Sequence, residues 1–324
     1  VPSDPASALR QRVGQQLGRP APAAARELAE AARARHAGVA GVLFYGSCLR
    51  RGTDEGVHDF YVLVDDYRRA YPRAWLAAAN ALLPPNVFYL ETKSGSSTTL
   101  RAKYAVISCA DFERAVSPGC LHPYIWARFA QPALLVFARD AEARERIGRA
   151  AAEAVVTLVQ RLSPFLPAAG RVQRFSLASL WQEAFRRTYT AEFRSESPET
   201  VRGIYQTDAD HYDASAVEAL RILAARGWLE HVEFRGHSVE VEMSPRRRRL
   251  ARLRWTVLRP LARLLAVARL LKTTATFGDW LPYALWKLER HSGVHIEPSE
   301  RQRRHPLLFG WPVILRLLLR RTLR

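Results

Sequence analysis

Two apolar runs, Val39 to Tyr45 and Asp59 to Val64, are separated by Gly46-Ser47 and a polar loop. This arrangement constrains the chain more than any other feature in it. The runs are rich in β-branched and aromatic residues and read as two strands. A Gly-Ser turn lets backbone N–H groups come close to a triphosphate. Asp59, at the start of the second strand, places a carboxylate where it can hold Mg²⁺ against the same phosphates. The layout suits nucleotidyl transfer. It is equally the layout of an ordinary hairpin with a surface acid.

The surrounding pattern predicts helices over 23–37 and 70–83, the second stopped by Pro84-Pro85. Short strands are predicted over 87–91, 103–108 and 134–137, with a short helix from Asp111. Strands alternating with helices make residues 20–140 an α/β or α+β domain. Residues 141–162 read as a helix that Pro164 and Pro167 end. Leu177, Trp181, Phe185 and Tyr189 recur every four residues in a helix predicted over 176–194. A helix over 213–229 precedes alternating Val232, Phe234, Val239 and Val241, with a turn at Arg235-Gly236. A helix followed by a hairpin resembles the end of a winged helix. Eight acids among residues 208–242 disfavour a phosphate-backbone partner for that unit.

The net charge of +18 is concentrated at one end, for residues 243–324 carry 19 Lys and Arg against four acids. In this segment Leu250, Leu253, Val257, Leu261, Leu264, Ala268 and Leu271 recur at helical spacing among arginines. The spacing predicts a basic amphipathic helix, which Pro260 is expected to kink or divide. A second such element is expected over 301–324, and Trp255, Trp280, Trp286 and Trp311 suit a membrane interface. Leucine runs with tryptophan favour an anionic membrane surface for residues 246–324 over nucleic acid, whose backbone needs little apolar contact. No run reaches the roughly 18–20 apolar residues of a membrane span. Cys48, Cys109 and Cys120 are odd in number and lack metal-ligand spacing. With no export signal visible in residues 1–22, the expected location is cytoplasmic, peripheral on the cytoplasmic face of a membrane.

Two-metal nucleotidyl transfer usually takes two acids two residues apart on one strand, because alternation puts both on one face. Here the residue two beyond Asp59 is Tyr61. Glu91 is a candidate second ligand, or a solvated strand-edge acid. Asp65 and Asp66 read as loop acids.

An ordered set of short motifs extends the pattern. It comprises Tyr45-Gly46-Ser47, Asp59-Phe60, Lys103-Tyr104-Ala105-Val106, Ala127-Arg128 with Pro132, and Glu192-Phe193-Arg194 after Tyr189. The set resembles the mitochondrial-type, peripheral phosphatidate cytidylyltransferases, the CDP-diacylglycerol synthases of the nucleotidyltransferase superfamily. The resemblance covers residues 40–220. Ala105 and Ala127 stand where that family has glycine, and its Asn…His-Tyr segment lacks the histidine at Asn86-Val87-Phe88-Tyr89.

The resemblance implies an α+β fold with a nucleotidyltransferase-like mixed sheet and helices in residues 1–140. The residue pattern adds a mostly helical, winged-helix-like domain in 141–245 and a basic amphipathic tail in 246–324, which the family core does not account for. It also implies an Mg²⁺-dependent enzyme that joins CTP and phosphatidate. Asp59 and Lys103 would be catalytic, with Asp59 and Glu91 on the metal. Tyr45, Gly46, Ser47 and Arg128 would bind the nucleotide, and Tyr189 and Arg194 the substrate phosphate. Two alternatives stay open. One is a nucleotidyltransferase acting on tRNA, protein or a small phosphate ester. The other is a degenerate member of the fold serving as a membrane or nucleic-acid adaptor.

Overall fold

The structure, a computed structural model, describes residues 4–94, 98–192, 197–236 and 238–276. The chain opens with α1 (Pro5–Leu17) and α2 (Ala23–Arg33), then β1 (Val39–Tyr45), α3 (Ser47–Arg51) and β2 (Val57–Val64). Next come α4 (Tyr67–Ala70), α5 (Ala74–Leu82), β3 (Asn86–Ser94), β4 (Thr98–Ser108), α6 (Cys109–Val116), α7 (Trp126–Phe129) and β5 (Leu134–Ala138). The helical region holds α8 (Ala141–Leu162), β6 (Val172–Ser176), α9 (Leu177–Ala191), α10 (Pro198–Gln206) and α11 (Ala209–Ala225). β7 (His231–Arg235), β8 (Ser238–Glu242) and α12 (Pro245–Thr276) complete the described chain.

The fold is α+β. Its main sheet is mixed, in the order β3-β4-β2-β1-β5, with β2 and β4 parallel and the other pairs antiparallel. Strand alternation divides the core. Val42, Phe44, Phe60, Val62 and Tyr104 pack with α2 on one face. Leu43, Tyr61, Leu63 and Ile107 face the other way, toward α1, α6 and α8. That second cluster continues without a break through Trp181, Phe185, Tyr212 and Val241. The sheet and the helical region therefore share one core. β6, β8 and β7 form a separate antiparallel sheet.

Several elements depart from expectation for identifiable reasons. The N-terminal segment is a helix: Asp4 accepts hydrogen bonds from the N–H groups of Ala6 and Ser7, Pro5 opens the first turn, and Leu9, Val13 and Leu17 are buried every four residues. The helix predicted over 70–83 starts late, as α5 at Ala74, because Tyr71 precedes Pro72 and is extended, and the separate α4 ends at Ala70. α12 runs unbroken through Pro260. A proline forfeits one N–H bond, and this helix is anchored on both sides of it. Arg252 donates to the Pro164 carbonyl at 2.7 Å, and Lys272 to the Pro85 carbonyl at 2.8 Å.

The face of α12 that packs carries Ala251, Trp255, Leu258, Ala262 and Arg269. The apolar stripe predicted as its amphipathic face points outward: Leu253, Val257, Leu264 and Leu271 are each more than half exposed. Among the described residues no helix is long and apolar enough to cross a membrane. The second basic element of the tail, with Trp280, Trp286 and Trp311, lies outside the described residues.

Candidate active site

Three strand neighbours build the floor of a cleft. Tyr45 on β1 is paired in register with Asp59 on β2, and Asp59 with Lys103 on β4. Alternation points all three side chains to one face, where Lys103 Nζ meets Asp59 Oδ1 at 3.0 Å. β1 ends at Tyr45, and Gly46 turns the chain directly into α3 with φ of +92°. A Cβ at Gly46 would lie 2.8 Å from Asp59 Oδ2. Conformation and space both require glycine here. The turn is thus fitted around the carboxylate.

The cleft has a volume of about 140 Å³. Ser47, Arg50, Tyr124, Gln131 and Thr188 line it beside the floor residues. Its far wall is an ion pair. Arg128 donates to both carboxylate oxygens of Glu192, at 2.9 and 2.7 Å. The guanidinium lies 4.0 Å from the centre of the Tyr124 ring and also donates to the Tyr124 carbonyl. Burial opposes the Arg128 charge, but Glu192 and the neighbouring tyrosines outweigh it, and its pKa lies above the ordinary arginine value. Burial, reinforced by Asp59, raises the Tyr45 hydroxyl well above the usual phenol range, so it stays a neutral donor. Arginine and lysine outnumber carboxylates in the lining, with Arg50, Lys103 and Arg128 against Asp59 and Glu192. That balance receives an anion.

The structure brings together Tyr45, Gly46, Ser47, Asp59, Lys103, Arg128 and Tyr189 in one cleft. Tyr189 reaches it from α9, its hydroxyl 3.5 Å from Gln131 Oε1. Arg194 lies outside the described residues. Glu91 is not brought to Asp59. It shares the sheet face but stands two strands across and two residues along, an offset of about 12 Å between backbone positions. There Arg101 donates to it at 3.0 Å and the Tyr89 hydroxyl at 2.6 Å. Tyr61, at the place of a second strand acid, is buried against Phe129 and Tyr45.

Four contributors escaped sequence reasoning. Glu192 was visible only as part of a motif, since its role depends on α9 crossing to α7. Arg50 follows the Gly-Ser turn by three residues and reaches the cleft because α3 winds back over β2. Among the described residues it makes no ion pair. Tyr124 and Gln131 stand on the loop and turn flanking α7, where no periodicity marks them.

Among the described residues no group of three or more His, Cys, Asp or Glu could cage a metal ion. The donors present are the Asp59 carboxylate and the Ser47 hydroxyl in the same lining. That set fits magnesium arriving on a triphosphate, because Mg²⁺ keeps waters and takes one or two carboxylates plus substrate phosphates. No protein-family model matches this chain, and comparison with curated proteins finds no match.

Proposed function

We propose that the cleft transfers a nucleotidyl group to a phosphate acceptor at a membrane surface. In its concrete form, CMP passes from CTP to phosphatidate, giving CDP-diacylglycerol and pyrophosphate. The observation that carries the reading is the Gly46 turn fitted around Asp59, with Lys103 3.0 Å from the carboxylate. The acceptor class rests on the exposed apolar face of α12. An apolar strip of that extent on a folded protein marks an interaction surface, and its flanking arginines match anionic lipid.

The chemistry asks little of the protein beyond position and charge. A phosphate monoester is mostly dianionic at neutral pH, so no general base is needed. One of its oxygens forms a bond to the α-phosphorus of the triphosphate. The bond from that phosphorus to the bridging oxygen breaks, and pyrophosphate leaves with the electron pair. Gly46 and Ser47 approach the triphosphate through their backbone N–H groups. Lys103 and Arg50 offset charge building on the leaving group. Tyr45 donates its neutral hydroxyl. Arg128, already paired with Glu192, shapes the wall and holds Tyr124. Magnesium, held by Asp59 with Ser47, supplies charge neutralisation along the triphosphate when bound.

Incubation with labelled CTP, phosphatidate vesicles and Mg²⁺ tests the reading. Lipid-linked CMP is expected, and Asp59→Asn should lower its rate by about a thousandfold or more. Absence of product from every nucleoside triphosphate and phosphate acceptor tried, with Asp59→Asn indistinguishable in triphosphate binding, would leave the fold as an adaptor. Product with a soluble phosphate ester but not with phosphatidate would keep the transfer and discard the lipid.

A further inference from the structure

A second cavity, of about 460 Å³, lies beneath the first turns of α12, lined by residues that are not shared with the cleft. Arg161, Arg246, Arg247 and Arg254 line it, with Trp228 and Trp255. No carboxylate is in the lining, and among the described residues none of the four arginines makes an ion pair. Arg139, Arg146 and Arg226 each meet a carboxylate.

Two of the four cavity arginines are held in place. Arg161 donates to the Cys120 carbonyl at 3.0 Å and to the Pro118 carbonyl. Arg247 donates to the carbonyls of Gly227 and Trp228 at 2.7 and 2.5 Å. Burial, with Arg254 close by, pulls the Arg161 pKa down to about 10. Positive groups are therefore crowded and positioned around a void without a counter-charge. That is the chemistry of an anion site.

The apolar part of the wall selects among anions. Leu250 lines the cavity and also begins the exposed stripe of α12. From Leu250 to Leu271 the stripe extends about 30 Å at the helical rise. A phosphate entering this cavity with an apolar remainder would lay that remainder along the stripe. We propose that the cavity binds the phosphate of an anionic phospholipid, apart from any substrate in the cleft. The proposal does not rest on the assignment of the cleft.

Binding of the 324-residue chain to a water-soluble, short-chain phosphatidylglycerol, without nucleotide or Mg²⁺, tests it by calorimetry. Arg254→Gln and Arg161→Gln should each weaken binding about tenfold, the loss expected for one charge-assisted hydrogen bond. Arg259→Gln, on the same helix outside the cavity, serves as the charge-matched control and should change it less than twofold. Arg254 is exposed, so its variant keeps the test alive if Arg161→Gln fails to fold. Equal losses in Arg254→Gln and Arg259→Gln would overturn the proposal, leaving only diffuse attraction. Equally tight binding of inorganic phosphate would overturn it in favour of a free-phosphate site. Displacement of the lipid by a short RNA, sensitive to Arg254→Gln and not to Arg259→Gln, would overturn it in favour of nucleic acid.

Discussion

At Gly46 two constraints coincide, a φ of +92° and a 2.8 Å approach of any added Cβ to Asp59. Gly46→Ala should therefore displace the carboxylate as well as strain the turn. The expected cost is about 1–3 kcal/mol in thermal unfolding, with a fall in nucleotidyl transfer of about a hundredfold or more. Across the cleft, Glu192→Gln leaves Arg128 buried without its counter-charge. A loss of about 3–5 kcal/mol is expected by denaturant titration. A smaller loss in Arg128→Met/Glu192→Leu than in Glu192→Gln alone would show that the penalty is the orphaned charge. These residues differ in how far the sequence reveals them. Gly46, Asp59 and Lys103 stand in short apolar strands, where composition and alternation mark both face and chemistry. Glu192 has a meaning only beside Arg128, 64 residues earlier in the chain, and a single sequence does not display that meeting.

Helix α12 keeps the amphipathic pattern expected of it but runs through Pro260 without a break. Its leucine spacing was legible, but spacing cannot say whether an apolar stripe packs or points outward. The packing stripe uses alanine, tryptophan, Leu258 and arginine, with Arg269 donating to the Pro84 carbonyl at 3.0 Å. Since Leu253 and Leu264 are exposed, Leu253→Ser/Leu264→Ser should leave the unfolding free energy within about 0.5 kcal/mol per site. The same double variant should lose vesicle co-sedimentation. Lys272 gives the helix a pH signature. Burial, with Arg269 nearby, draws its amine from the ordinary 10.5 down to about 7. Below pH 7 both folded and unfolded forms carry the proton, and the folded form bears the full cost of burying it. Between about 7 and 10.5 the unfolded form binds more protons, so stability rises with pH across that window. Thermal midpoints followed through the window should climb in the parent protein and flatten in Lys272→Met. By contrast α1 was hidden from composition, although its Asp4-Pro5 start and Leu9, Val13, Leu17 spacing are ordinary helix signals. Alanine and glutamine between them diluted the pattern.

At the scale of the molecule, one core runs from Leu9 through the sheet to Met243. Residues 5–243 should accordingly unfold in a single transition, with tryptophan fluorescence and far-UV circular dichroism coinciding in guanidinium. Two separated transitions would place a boundary near residue 140 that the shared core does not provide for. The sheet order could not be read from the sequence, because β2 and β4 are parallel neighbours with β3 between them in the chain. One ring is shared by the cleft and α12. The Tyr124 ring lies 4.0 Å below the guanidinium of Arg128 in the cleft and 4.6 Å below that of Arg269 on α12. A ligand that shifts either guanidinium acts on the ring the other one shares. Thermodynamic reciprocity then sets a strict equality. On the proposed function, whatever factor a vesicle surface applied to triphosphate affinity, the triphosphate would apply to vesicle affinity, and a factor above one would make a nucleotide in the cleft a tether for the whole protein.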